Sequence, residues 1–85
     1  MSLELRVQVF ARLREQLGTD HVTIRVLGQA NVGSLRSALG ERLPKESLNL
    51  IRVSAVAVNG EYASDDASLK ASDEIALIPP VSGGQ

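Results

Sequence analysis

Apolar and polar residues alternate at the start of the chain. Leu5, Val7 and Val9 are interleaved with Glu4, Arg6 and Gln8, the period of a strand with one buried face. A second alternation, Val22, Ile24 and Val26, predicts another strand. Between them, Ala11 to Leu17 has a short helical spacing, with Leu13 and Leu17 four apart and Gly18 placed to end it. After a loop at Gly28 to Ala30 the period lengthens: Val32, Leu35, Leu39 and Leu43 recur three or four apart, so a helix is predicted from its cap at Asn31 to Pro44. Gly33 and Gly40 weaken that helix by about 1 kcal/mol each relative to alanine, so packing must hold it. Lys45 to Arg52 has no decisive period and is compatible with one helical turn. Ala55 to Val58 predicts a buried strand, Asn59-Gly60 a type I′ hairpin turn, and Glu61 to Ala63 a short return strand. Asp65, Asp66, Ser72 and Asp73 bracket a turn containing Leu69, and turn chemistry accounts for the Asp65-Asp66 pair. Glu74 to Pro79 is the last predicted strand. The order β-(short α)-β-α-β-β-β, with one main helix crossing a face of a mixed sheet, places the chain in the α+β class.

Eighty-five residues suffice for one small core. We expect residues 1–80 to form the domain and 81–85 a flexible tail. Phe10 and Tyr62 are the only aromatic residues, so the core must be aliphatic. The lack of cysteine excludes disulfides, thiolate metal sites and a cysteine nucleophile, and a lone His21 argues against a histidine metal site or a catalytic triad. No glycine-rich phosphate loop with its lysine is present, so a stand-alone enzyme is the least favoured class. Residues 1–45 carry seven Lys/Arg against four Asp/Glu, and residues 46–85 two against six. That acidic second half, with so few aromatic rings, argues against nucleic-acid binding. Neither an export signal nor a long apolar stretch is seen, so a cytoplasmic protein with no membrane association is expected.

The most informative segment is the last. Ile75-Ala76-Leu77-Ile78 reads as a buried strand, Pro79-Pro80 stops its hydrogen-bond ladder and stiffens the exit, and Val81-Ser82-Gly83-Gly84-Gln85 follows. Disordered ends usually begin in polar sequence, and this one leaves an apolar strand. Glycine lacks a Cβ, so Gly83-Gly84 can thread a channel too narrow for side chains, and Val81 to Gly84 spans roughly 13–14 Å.

These residues resemble a known family. The opening Val7-Gln8-Val9-Phe10-Ala11-Arg12-Leu13-Arg14-Glu15-Gln16-Leu17-Gly18, the Ala57-Val58-Asn59-Gly60 hairpin, the Leu69…Ser72-Asp73-Glu74-Ile75 step and the Pro79-Pro80-Val81-Ser82-Gly83-Gly84 tail are similar to the small subunit of molybdopterin synthase, over essentially the whole chain. The resemblance implies a ubiquitin-like β-grasp fold and a sulfur carrier in molybdenum cofactor synthesis, not an enzyme by itself. In that family an E1-like enzyme uses ATP to adenylate the terminal glycine carboxylate. A sulfur donor protein then displaces AMP to leave a thiocarboxylate, which is consumed in the active site of the large synthase subunit, within a heterotetramer. No cofactor is bound to the carrier. Carried onto this sequence, Gly84 bears the reacting carboxyl, Gly83 keeps the approach thin, and Pro80, Val81 and Ser82 insert with the tail. Leu77 and Ile78 stand where the family often has aromatic residues; strand alternation buries one of them and gives the other to a partner. Phe10 divides between core and partner contact, with core the stronger expectation, and Arg14 matches a basic position that pairs with a partner or is simply solvated.

Gln85 departs from the family, whose mature tail ends at the second glycine. With Gln85 in place the terminal carboxyl is roughly 3.5 Å too far along and carries a side chain, so removal by a peptidase is the expected route to the active form. Two alternatives keep parts of this picture: a sulfur carrier for another pathway, such as thiamine, cysteine or another thiolated product, and a β-grasp binding module whose tail is never activated.

Overall fold

A computed structural model of the chain describes residues 2–80, so the expected tail 81–85 lies outside the described residues. The elements run β1 (Ser2–Val9), α1 (Ala11–Leu17), β2 (His21–Leu27), α2 (Val32–Arg42), a 3₁₀ turn (Lys45–Ser47) leading into α3 (Leu48–Val53), β3 (Ala55–Val58), β4 (Glu61–Tyr62) and β5 (Ile75–Ile78). They build one five-stranded mixed sheet in the order β2-β1-β5-β3-β4. β1 pairs antiparallel with β2 and parallel with β5, while β3 pairs antiparallel with both β5 and β4. The last strand therefore lies at the centre of the sheet, hydrogen-bonded on both sides.

Strand alternation creates the core. Leu5, Val7 and Val9 from β1, Ile24 and Val26 from β2, Val56 from β3 and Ile75 and Leu77 from β5 project from one face. Val32, Leu35 and Leu39 of α2 meet them, joined by Leu13 and Ile51 from the short helices. The predicted cap forms: Asn31 Oδ1 accepts the Ser34 N–H at 2.7 Å, and the Asn31 N–H donates to Ser34 Oγ at 2.8 Å. Such a reciprocal pair is worth about 1 kcal/mol.

The two helical glycines are explained by close approach. A Cβ at Gly40 would stand 3.1 Å from Leu48 Cδ1, and one at Gly33 would stand 3.3 Å from the Asp65 carbonyl, to which the Gly33 N–H donates at 2.8 Å. Helix propensity is thus sacrificed so that α3 and the turn after β4 can press against α2.

Boundaries differ from the sequence expectation in four places. α2 stops at Arg42, with the Leu43 N–H closing the last turn onto the Leu39 carbonyl at 2.9 Å. The segment without a clear period is helical, because Ile51 is buried and Arg36 caps its end, donating from Nη1 to the Ile51 and Ser54 carbonyls at 2.8 and 2.7 Å. The return strand contains only Glu61 and Tyr62, although the Ala63 N–H still reaches the Val56 carbonyl at 2.9 Å. β5 is confined to Ile75–Ile78: Asn59 occupies both backbone groups of Glu74, and Pro79 has no N–H to offer. Among the described residues no helix is long and apolar enough to cross a membrane.

Candidate functional site

β5 carries the chain out of the sheet toward the tail, and its pleat continues into the prolines. Ile75, Leu77 and Pro79 are buried, whereas Ala76 and Ile78 lie on the opposite face, half-buried, and Pro80 is exposed. Because β5 is hydrogen-bonded to β1 and β3, the root of the tail is held from both flanks. A tail rooted this way starts from a defined point and direction.

The parallel pairing of β1 with β5 also brings distant residues together. Val9 pairs with Leu77, so Phe10 emerges beside Ile78 at the end of the sheet from which the tail departs. Val9 points inward and Phe10, still extended at φ −131° and ψ 163°, points outward. The expectation that Phe10 belongs to the core is thereby corrected: it is 41% exposed on the outer face. Of the Leu77 and Ile78 pair, Leu77 is 0% exposed and belongs to this chain's own core, leaving Ile78 as the one with surface to present.

Register across the sheet extends the apolar ground. Tyr62 pairs with Ala57, Ala57 with Ala76, Ala76 with Gln8, and Gln8 with His21, so these five side chains form a row on the outer face. Tyr62, 76% exposed, was not among the residues singled out from the sequence. Its signal was the Asn59-Gly60 turn, which sets Tyr62 opposite Ala57. Phe10, Tyr62, Ala76 and Ile78 border a hollow of about 350 Å³ that runs along the outer face as far as Ile78, the last residue of β5. An exposed phenylalanine and tyrosine in a chain with no others is the kind of patch that marks a protein contact.

One rim of the patch is charged. Arg14 is exposed on α1, and its carbonyl accepts the Gly18 N–H at 2.9 Å, closing the helix. Asp20 and His21 lie next to it, with His21 Nδ1 2.9 Å from Asp20 Oδ1. That hydrogen bond, helped by the nearby positive charge of Arg14, holds the Asp20 carboxyl below its ordinary range. Among the described residues no group of three or more His, Asp or Glu is arranged to hold a metal. Gly83, Gly84, Val81 and Ser82, expected to carry the chemistry and the insertion, lie outside the described residues; Pro80 is the last of the described chain.

The chain's likeness to known proteins fits this geometry. The sequence model of the ThiS family matches residues 7–84, from the first strand through the second glycine of the tail. The chain belongs to the ThiS family. Within it, the chain is 40% identical to the molybdopterin synthase sulfur carrier subunit of Dictyostelium discoideum, covering 99% of this chain and 100% of that protein. This ThiS-family chain also superposes on the crystal structure of SAMP1 from Haloferax volcanii with a TM-score of 0.79, at 34% identity over 95% of this chain and 99% of the other. A chain in the protein–protein complex of subunits 1 and 2 of the molybdopterin-converting factor from Helicobacter pylori matches with a TM-score of 0.67 and 25% identity, covering 96% and 100%. The ubiquitin-like β-grasp fold expected from the sequence is thus the fold of this ThiS-family member.

Proposed function

We propose that this chain is the sulfur carrier subunit of a molybdopterin synthase, with the Gly84 carboxyl as its only reacting group. The observation that carries the reading is the full-length likeness to the Dictyostelium subunit, in a chain whose tail ends a proline-terminated central strand. Exposing Gly84 as a C-terminus requires hydrolysis of the Gly84–Gln85 peptide bond, the task of a peptidase. An E1-like enzyme then joins the carboxylate to ATP, releasing pyrophosphate, because a free carboxylate has no adequate leaving group. A sulfide equivalent from a donor protein adds to the activated carbonyl, and AMP departs with the bonding pair, leaving a glycyl thiocarboxylate. In the large subunit the thiocarboxylate sulfur attacks a cyclic pyranopterin phosphate, water then cleaves the acyl–sulfur bond of the resulting thioester to return the Gly84 carboxylate, and two such deliveries complete the dithiolene. The chain itself contributes no acid, base or metal ligand to these steps.

The outer sheet face supplies the docking for this traffic. Phe10 and Ile78 give an apolar anchor at the base of the tail, Tyr62 extends it across the sheet, and Arg14 at the rim offers a charge to an acidic partner residue. The likeness to subunit 1 or 2 in the Helicobacter complex supports the large synthase subunit as the principal partner. The activating enzyme must use the same tail at a different time.

The likeness to SAMP1, a small archaeal modifier protein, favours a second reading in which the activated Gly84 acyl group passes to an amine of another protein. A reconstitution separates the two. The chain ending at Gly84, converted to its thiocarboxylate and mixed with the large subunit and a cyclic pyranopterin phosphate, should yield the dithiolene product with two carriers consumed per product. Absence of product, together with the appearance of amide conjugates on lysines when the activating enzyme is supplied, would replace the carrier reading by the modifier reading.

A further inference from the structure

Among the described residues, two that are not glycine have a positive φ: Ala11 and Asn59, both at 53°. Asn59 is accounted for. It occupies the hairpin turn, and its side chain donates to Asp73 Oδ1 at 3.0 Å and accepts the Glu74 N–H at 2.9 Å. Ala11 has no such compensation. Alanine has no polar side-chain atom to favour the left-handed region, and its Cβ is unfavourable there. Glycine would adopt the same backbone without strain, yet Ala11 opens α1 at the turn out of β1.

Position explains what chemistry does not. Ala11 directly follows Phe10, and the chain must do two conflicting things here: keep Phe10 on the outer face and, three residues after it, place Leu13 in the core. The extended Phe10 continues the pleat of β1, and the left-handed step at Ala11 turns the backbone into α1. The first helical bond then clamps the step, with the Arg14 N–H donating to the Phe10 carbonyl at 3.3 Å. A glycine at 11 would allow the same step without the Cβ penalty but would also admit the mirror-β region that a Cβ closes, loosening the angle between Phe10 and α1.

We propose that Ala11 is a positioning residue whose left-handed backbone holds the Phe10 ring fixed at the root of the tail, ordering it before the partner arrives. The inference rests on the reading that the outer face docks the large synthase subunit. Strain of this kind persists where the surrounding structure over-determines it, and a pre-ordered aromatic anchor spares the complex the entropy of immobilising it.

The test compares the wild-type chain, Ala11→Gly, Phe10→Ala, and the chain synthesised with D-alanine at position 11, which favours positive φ while keeping a Cβ. Affinity for the large subunit is measured by calorimetry, and each chain is melted alone. Ala11→Gly should lose about two- to tenfold in affinity, the range for ordering one side chain, with a melting temperature equal to or above wild type. The D-alanine chain should bind as wild type does and melt higher. Affinity and stability moving in opposite directions is an outcome that a merely structural role does not give. Wild-type affinity in Ala11→Gly, alongside a loss in Phe10→Ala, would overturn the role of Ala11 and leave docking intact; equal weakening of the glycine and D-alanine chains would overturn it too. Unchanged affinity in Phe10→Ala would remove the docking reading, and the inference with it.

Discussion

Leu77 and Ile78 are adjacent and chemically alike, yet the pleat of β5 gives them different tasks. Leu77 fills the core between α2 and the sheet, so Leu77→Ala should cost about 2–5 kcal/mol in urea unfolding, the range for a buried leucine that leaves a cavity. Ile78→Ala, on the half-covered face, should cost less than half as much in the same experiment. Equal losses would mean that both side chains are core. Parity was legible in the sequence for residues inside regular alternation: Leu5, Val7 and Val9 predict their own burial, and they also predict that Phe10, next in line, faces away. Hydrophobicity argued against that position, because a lone phenylalanine beside a strand reads as core. Parity prevailed since the extended backbone continues through residue 10 before the chain turns. Tyr62 was missed for a related reason: its neighbours Glu61 and Ala63 give no alternation long enough to read, and its face is set by the turn and not by pattern.

Elements are held together by polar contacts that no periodicity announces. Arg36, mostly buried, reaches from α2 to two carbonyls at the end of α3 and lies 3.4 Å from the exposed Asp65. The two carbonyl bonds dominate, since the ion pair is largely solvated. Arg36→Ala should therefore destabilise the fold by about 2–3 kcal/mol, and Asp65→Ala by less than 1 kcal/mol, in chemical denaturation. The turn before β5 has a similar clasp. Asp73 accepts the Lys70 N–H at 2.8 Å and the Asn59 amide at 3.0 Å, and these bonds, the backbone one foremost, hold its carboxyl below its ordinary 3.8. A carboxyl depressed on folding contributes stability above its unfolded pKa and loses it as the pH falls through the folded value. Asp73→Asn should thus be less stable than wild type by a constant amount from pH 5 to 8, with the gap closing below about pH 3.8, as read from melting temperatures across pH. The helices and strands themselves were legible because each has its own short-range period. The existence of α3 was not, since Leu48 and Ile51 make less than two turns of pattern; nor was the strand order, because pairing β5 with β1 joins residues some seventy positions apart.

At the scale of the whole molecule, the fold fixes the point from which the chain leaves for the glycine pair. The central strand anchors the exit, two prolines leave the ladder, Phe10 and Ile78 give the point of departure an apolar flank, and Tyr62 lies further across the same face. The strand and its stop at the proline pair were readable in the sequence, while the surrounding patch needed the folded sheet. The central claim is that Gly84 is activated and loaded with sulfur, and intact mass measurement tests it most directly. The untagged protein, purified from its native cells, is weighed before and after incubation with ATP, the adenylating enzyme and a sulfur source. The account predicts a chain ending at Gly84 that gains about 16 Da, one carboxylate oxygen exchanged for sulfur. A chain that retains Gln85 and never changes mass would contradict it.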